Sequence, residues 1–201
     1  MVCCNSKNSQ EVASLTKIMT CILTLEIAEK YNINLDEECF KIGKYESSIG
    51  GTTASIRPGQ IYTVRQLLYG LMLPSGNDAS LALAVWGGRK LLQNSNELID
   101  SERNPSFRIE IMLKKVTKGT CYTRFIKEMN EKARILDMNK TKYANSHGLS
   151  NSNNKSTAFD VAILSNYAMK HPIFREIVCC KVYSATIKYE IDNPENIEFQ
   201  G

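Results

Sequence analysis

Ser14-Leu15-Thr16-Lys17 stands at the head of an apolar run, and the spacing of its two polar ends is informative. Ile18, Cys21, Ile22, Leu25 and Ile27-Ala28 recur at helical spacing, which predicts a helix over 14–31. Ser14 or Thr16 is placed to cap its start, and Asn32 follows its end. In such a helix, side chains three apart lie on one face, so Ser14 and Lys17 meet. The positive end of the helix dipole favours negative charge developing on a serine oxygen there. Lysine takes a proton from serine only when neutral. Bringing a free lysine from a pKa of about 10.4 to near 7 requires ~4 kcal/mol from burial or neighbouring positive charge. The pair therefore works only inside a closed, preorganised pocket.

The rest of the chain reads as helix-rich with few strands. Residues 32–63 are turn-rich, with strand-like runs at Cys39–Ile42 and Thr53–Ile56 and turns at Gly50-Gly51 and Pro58-Gly59. A helical run over 64–73 stops at Pro74, and another follows over 77–87, with Asn77 or Ser75 placed to cap it. Residues 88–119 are polar and poorly patterned. Residues 120–136 are strongly amphipathic through Phe125, Met129, Ala133 and Leu136. Further helices are expected over 157–170 and 172–178, a strand over 181–189, and a polar tail over 190–201.

A Ser-x-x-Lys motif alone is weak. Its setting, Glu11-Val-Ala-Ser-Leu-Thr-Lys-Ile-Met-Thr20, is similar to the nucleophile segment of the low-molecular-weight penicillin-binding D-alanyl-D-alanine carboxypeptidases. Leu73-Pro-Ser-Gly-Asn-Asp-Ala79 resembles the Ser-Gly-Asn element of the same family. So do Gly59–Leu68, Met129–Ala133 with Leu136, Met138 and Thr141, Ser146-His-Gly-Leu149, Thr157-Ala158 with Asp160, and Pro172 with Phe174-Arg175. The resemblance runs over roughly 11–185 and implies an α+β fold: a partial β-lactamase/DD-peptidase-like fold, mostly its helical part with a reduced antiparallel sheet. It implies a single domain over 1–201, with 88–119 as an insertion.

Carried onto these positions, the family's roles make Ser14 the acyl-forming nucleophile and Lys17 its general base. Ser75 shuttles the proton to the leaving group, and Asn77 orients the lysine or the substrate backbone. The implied reaction releases a terminal D-alanine from a peptidoglycan stem peptide, with a peptide or β-lactam as ligand at Ser14. No metal or cofactor is implied. His147 falls in the His-Gly-Leu loop, where the resemblance implies a structural role rather than a catalytic one.

The family's third motif, Lys-Thr-Gly, supplies a lysine that attracts the substrate carboxylate, on a strand that also donates an oxyanion N–H. It is not found here. Lys118-Gly119-Thr120 is permuted and lies before His147, and Lys140-Thr141-Lys142 lacks the glycine. Loss of one oxyanion donor alone costs on the order of 10²–10³ in rate. The expectation is thus a carboxypeptidase-like domain whose catalytic corner is idle in this form. Two alternatives stand beside it: a structural subunit with protein partners in a larger cytoplasmic or cytoskeletal assembly, and an active hydrolase completed by sequence outside this chain.

Composition narrows partners and place. The net charge of +4 is spread along the chain, with Lys114-Lys115 and Lys118 as its densest run, which does not point to nucleic acid. Met1 to Gln10 lacks the apolar stretch of a signal peptide, and no run approaches the ~18 apolar residues of a membrane span. The seven cysteines include no C-x-x-C spacing, so reduced thiols and a cytoplasmic location are expected.

Overall fold

α1 (Thr16–Lys30) runs through the middle of the protein, with Met19 and the whole stretch Cys21–Leu25 buried. A helix buried on nearly every side along most of its length belongs to the interior, and this one is wrapped by the others. Its end is the one the sequence signals. Asn32 takes the left-handed conformation (φ +52°), its N–H bonds to Glu29 O, and the Ile33 N–H bonds back to Ala28 O over 2.8 Å. The computed structural model describes residues 5–94, 116–189 and 195–200.

The other described helices are α2 (Lys44–Ser47), α3 (Val64–Met72), α4 (Asn77–Gln93), α5 (Lys118–Ile135), α6 (Ala158–Ala168) and α7 (Pro172–Cys179). Three start on threonine caps. Thr63 accepts from Gln66 N while the Gln66 side chain accepts from Thr63 N, a reciprocal box; Thr117 and Thr157 cap α5 and α6. α4 packs on α1, α3 and α5, and Gly88 marks its closest approach to α5. A Cβ there would sit 1.8 Å from Cys121 O. The helix expected to end at residue 87 therefore continues through Gly88 to Gln93, with Leu91 in the core. Lys118 and Gly119 likewise belong to α5. Of the segment read as an insertion, residues 95–115 lie outside the described residues.

The strands are β1 (Gln10–Glu11), β2 (Cys39–Lys41), β3 (Gln60–Thr63), β4 (Lys155–Ser156), β5 (Val182–Tyr189) and β6 (Glu195–Gln200). β1 and β4 form one antiparallel pair. The other four make an antiparallel sheet in the order β2-β3-β5-β6. The mixed fold with a small antiparallel sheet is the one expected.

Two further expectations, both about strands, need correction. Thr53–Ile56 is not a strand, because its amides are bonded elsewhere: Ala54 N and Ile56 N donate to the Asp78 carboxylate at 2.8 and 3.2 Å. The polar tail contains β6, where Phe199 is buried and stacks toward Tyr183, itself stacked on Tyr69. Among the described residues no helix is long and apolar enough to cross a membrane.

Candidate active site

Ser14 lies in a 3-10 turn (Ala13–Leu15) that leads into α1. Neither Ser14 nor Thr16 caps the helix. Leu15 holds the cap position without a side-chain bond, and the Thr16 hydroxyl accepts from Asn154 Nδ2. The Ser14 hydroxyl is thus not spent on a cap, and it meets one amine and one other hydroxyl. Lys17 Nζ donates to Ser14 Oγ at 3.1 Å, and Ser75 Oγ donates to it at 3.0 Å.

Lys17 is only 2% exposed. Besides Ser14, its ammonium nitrogen reaches Asn77 Oδ1 at 2.8 Å and the His147 carbonyl at 2.6 Å. All three contacts are to neutral oxygens. Burial pulls its pKa down to about 8, against a smaller upward pull from the Asp78 carboxylate.

Ser75 and Asn77 are delivered by the turn into α4. Neither caps it; Gly76 holds that position with no side-chain bond. Ser75 instead adopts a left-handed backbone (φ +57°), held by Thr52 Oγ1 donating to Ser75 O at 2.6 Å and by Asn77 N donating to Thr52 O at 2.8 Å. Asn77 Nδ2 donates to Gly50 O at 2.8 Å, which leaves its Oδ1 for Lys17. The four residues named from the sequence are therefore in one place.

Sequence reasoning did not single out the residues that hold them there. Asp78, 2% exposed, accepts from Ala54 N, Ile56 N, Ala79 N and Thr53 Oγ1 and so fastens the 52–56 loop to the head of α4. Thr20 and Ser80 both donate to Ser146 O, at 2.6 and 2.7 Å, and anchor the His-Gly-Leu loop. The adjacency of Asp78 to Ser-Gly-Asn was a usable signal; the threonine and serine anchors carry none. His147 acts on the site through its backbone. Its ring accepts from Leu149 N, and burial with the nearby Lys17 charge lowers its pKa to about 4.

The near-matches to the third motif lie elsewhere. Lys118 is paired with Glu46 at 2.6 Å, and Thr141 donates to Asp160. Among the described residues no group of three or more His, Cys, Asp or Glu could hold a metal ion.

The model of the D-alanyl-D-alanine carboxypeptidase family matches residues 1–90 and 112–199. The chain belongs to the D-alanyl-D-alanine carboxypeptidase family. The carboxypeptidase DacF of Bacillus subtilis is 30% identical over 169 residues, covering 83% of this chain and 35% of its own. The D-alanyl-D-alanine carboxypeptidase of Streptomyces sp. (strain K15) is 32% identical over 179 residues, covering 88% of this chain and 52% of its own. The crystal structure of the Streptomyces K15 DD-transpeptidase superposes with a TM-score of 0.78 at 29% identity, over 98% of this chain and 66% of that one. A carboxypeptidase DacD structure from Francisella tularensis gives 0.68 at 27% identity, over 90% and 37%. The chain spans 35 to 52% of the length of these two curated carboxypeptidases.

Proposed function

We propose that this chain carries the acylation centre of a serine D-alanyl-D-alanine carboxypeptidase, with Ser14 as nucleophile, Lys17 as general base, Ser75 as proton relay and Asn77 as orienting group. The observation that carries the reading is the state of Lys17: buried, in contact with Ser14 Oγ, and brought down to a pKa of about 8. A lysine with that pKa is partly neutral near physiological pH and can take a proton.

Lys17 removes the proton from Ser14 Oγ as that oxygen attacks the carbonyl carbon between two D-alanines. The C–N bond breaks, and the proton passes through Ser75 to the departing amine. D-Alanine leaves, water cleaves the Ser14 ester, and the shortened peptide departs. A β-lactam follows the same first step and remains attached through the opened ring.

A second reading, an idle site in a fold kept for its shape, makes the opposite prediction for acylation of Ser14. A fluorescent penicillin separates the two. Covalent labelling that disappears in Ser14→Ala supports the acylation centre. No labelling, by this chain or by a longer form that includes a Lys-Thr-Gly strand, overturns it in favour of the idle site.

A further inference from the structure

A base needs its lone pair aimed at the proton it takes. An ammonium has three N–H donors; the neutral amine has two and one lone pair. Of the three oxygens around Lys17 Nζ, Asn77 Oδ1 and His147 O can only accept, whereas the Ser14 hydroxyl can also donate. With two N–H bonds fixed on the two pure acceptors, the lone pair falls to Ser14. The direction of the His147 carbonyl therefore sets the direction of proton transfer.

That carbonyl belongs to the peptide joining His147 to Gly148, and the N–H of the same peptide is gripped. Gly148 N donates to Asn145 Oδ1 at 2.7 Å, while Asn145 Nδ2 donates to Leu149 O at 2.9 Å. In a planar trans peptide the N–H and C=O point in opposite directions. Fixing one edge aims the other. The anchors at Ser146 act one and two peptides earlier. Thr20 and Ser80 hold Ser146 O, and Ser146 N donates to the Tyr122 hydroxyl at 3.1 Å. They fasten the loop to α1, α4 and α5, and leave the orientation of the next peptide to Asn145.

We propose that Asn145 is the positioning residue for Lys17: by holding the Gly148 N–H it aims the His147 carbonyl at Nζ and so turns the amine's lone pair toward Ser14. The inference rests on reading Lys17 as the base. The groups that bear on Lys17 electrostatically are the Asp78 carboxylate from α4 and the His147 ring, neutral near pH 7, from the loop. A carbonyl acceptor favours the charged form of the amine, so loosening it lowers the proton affinity of Lys17 further.

The test uses the 201-residue chain, as wild type, Asn145→Ala and Asn145→Asp. Two quantities are read across roughly pH 6 to 10: the rate of labelling by a fluorescent penicillin, and the 13Cε-lysine NMR titration of Lys17, assigned by its loss in Lys17→Gln. In Asn145→Ala the labelling plateau is expected to fall on the order of tenfold or more. The Lys17 midpoint is expected to move to lower pH in both readouts. Asn145→Asp keeps an acceptor for the Gly148 N–H and adds a negative charge, so it restores most of the plateau and moves the midpoint up. A merely structural role would lower labelling at every pH without moving the midpoint. An unmoved NMR midpoint in Asn145→Ala overturns the inference, and so does an unmoved midpoint in Asn145→Asp should the alanine variant not fold. Absence of labelling in the wild type counts against the acylation reading, while the NMR midpoints still decide the role of Asn145.

Discussion

Ser75 Oγ donates to Ser14 Oγ across 3.0 Å, and it does so from a backbone conformation that serine adopts at a cost of about 1–2 kcal/mol. The cost is met by the Thr52 hydroxyl on Ser75 O and by the Thr52–Asn77 backbone bond. The strained turn lifts the Ser75 hydroxyl out of a capping position at the head of α4 and onto Ser14.

Ser75→Ala keeps the backbone and deletes only that hydroxyl. Penicillin labelling of Ser14 is expected to slow by roughly 10²-fold, the scale of a lost proton-transfer partner, with thermal stability changed little. Stopped-flow labelling with a melting curve on the same sample checks both. Labelling at the wild-type rate would remove Ser75 from the reaction.

The pH dependence follows from Lys17. Its pKa in the folded protein is lowered to about 8 by burial. Below that value the amine is protonated and cannot accept from Ser14; above it the base is available. The labelling rate should therefore rise through about pH 8 and level off, and a profile flat from pH 6 to 10 would rule out Lys17 as the base.

How much of this was legible in the sequence depends on the kind of contact. α5 was legible because its burial is periodic: Phe125, Met129 and Ala133 recur on one face and are all in the core. α1 was legible as a long, mostly apolar run closed by Asn32, and its burial is near-continuous. Ser14, Lys17, Ser75 and Asn77 were legible as a resemblance, though nothing in their spacing shows that the Ser75 hydroxyl reaches Ser14. β3 was missed because its four residues run straight into the reciprocal cap of α3, so no turn separates strand from helix. The supports were hidden for another reason. Asp78 on Ala54 N and Asn145 on Gly148 N are side-chain bonds to loop amides, and such bonds leave no periodic trace.

His147 gives a prediction about stability. Its folded pKa, about 4, lies below the ordinary value of 6.5 because the ring is buried and close to the Lys17 charge. Between those values the unfolded chain takes a proton that the folded one refuses, so stability falls as pH is lowered from about 6.5 toward 4. His147→Gln removes this titration. Its stability relative to wild type should improve between pH 7 and pH 4.5 in urea unfolding, and an unchanged difference between the two pH values would contradict a neutral buried ring.

The last prediction concerns a carboxylate far from any periodic signal. Glu46 on α2 is fully buried, and its Oε2 accepts from Lys118 Nζ at 2.6 Å and from Gly43 N at 3.0 Å, while Oε1 has no partner among the described residues. Burial makes this charge costly, and the ammonium of Lys118 at the start of α5 offsets part of the cost. Lys118→Met removes the offset and should destabilise the protein by about 2–3 kcal/mol, less than for a fully enclosed pair because Lys118 is partly exposed. Glu46→Gln removes the charge itself and retains an acceptor for Gly43 N, so it should cost less. The double variant should be more stable than Lys118→Met alone, since the orphaned charge has gone with its partner. Urea unfolding of the four proteins measures the coupling. A double variant less stable than Lys118→Met would mean that packing, rather than charge, joins α2 to α5. The pair matters for the site because α2 leads directly into Gly50, whose carbonyl holds the Asn77 amide. Loss of Lys118 should therefore also slow penicillin labelling, and Glu46→Gln in the same chain should recover part of it.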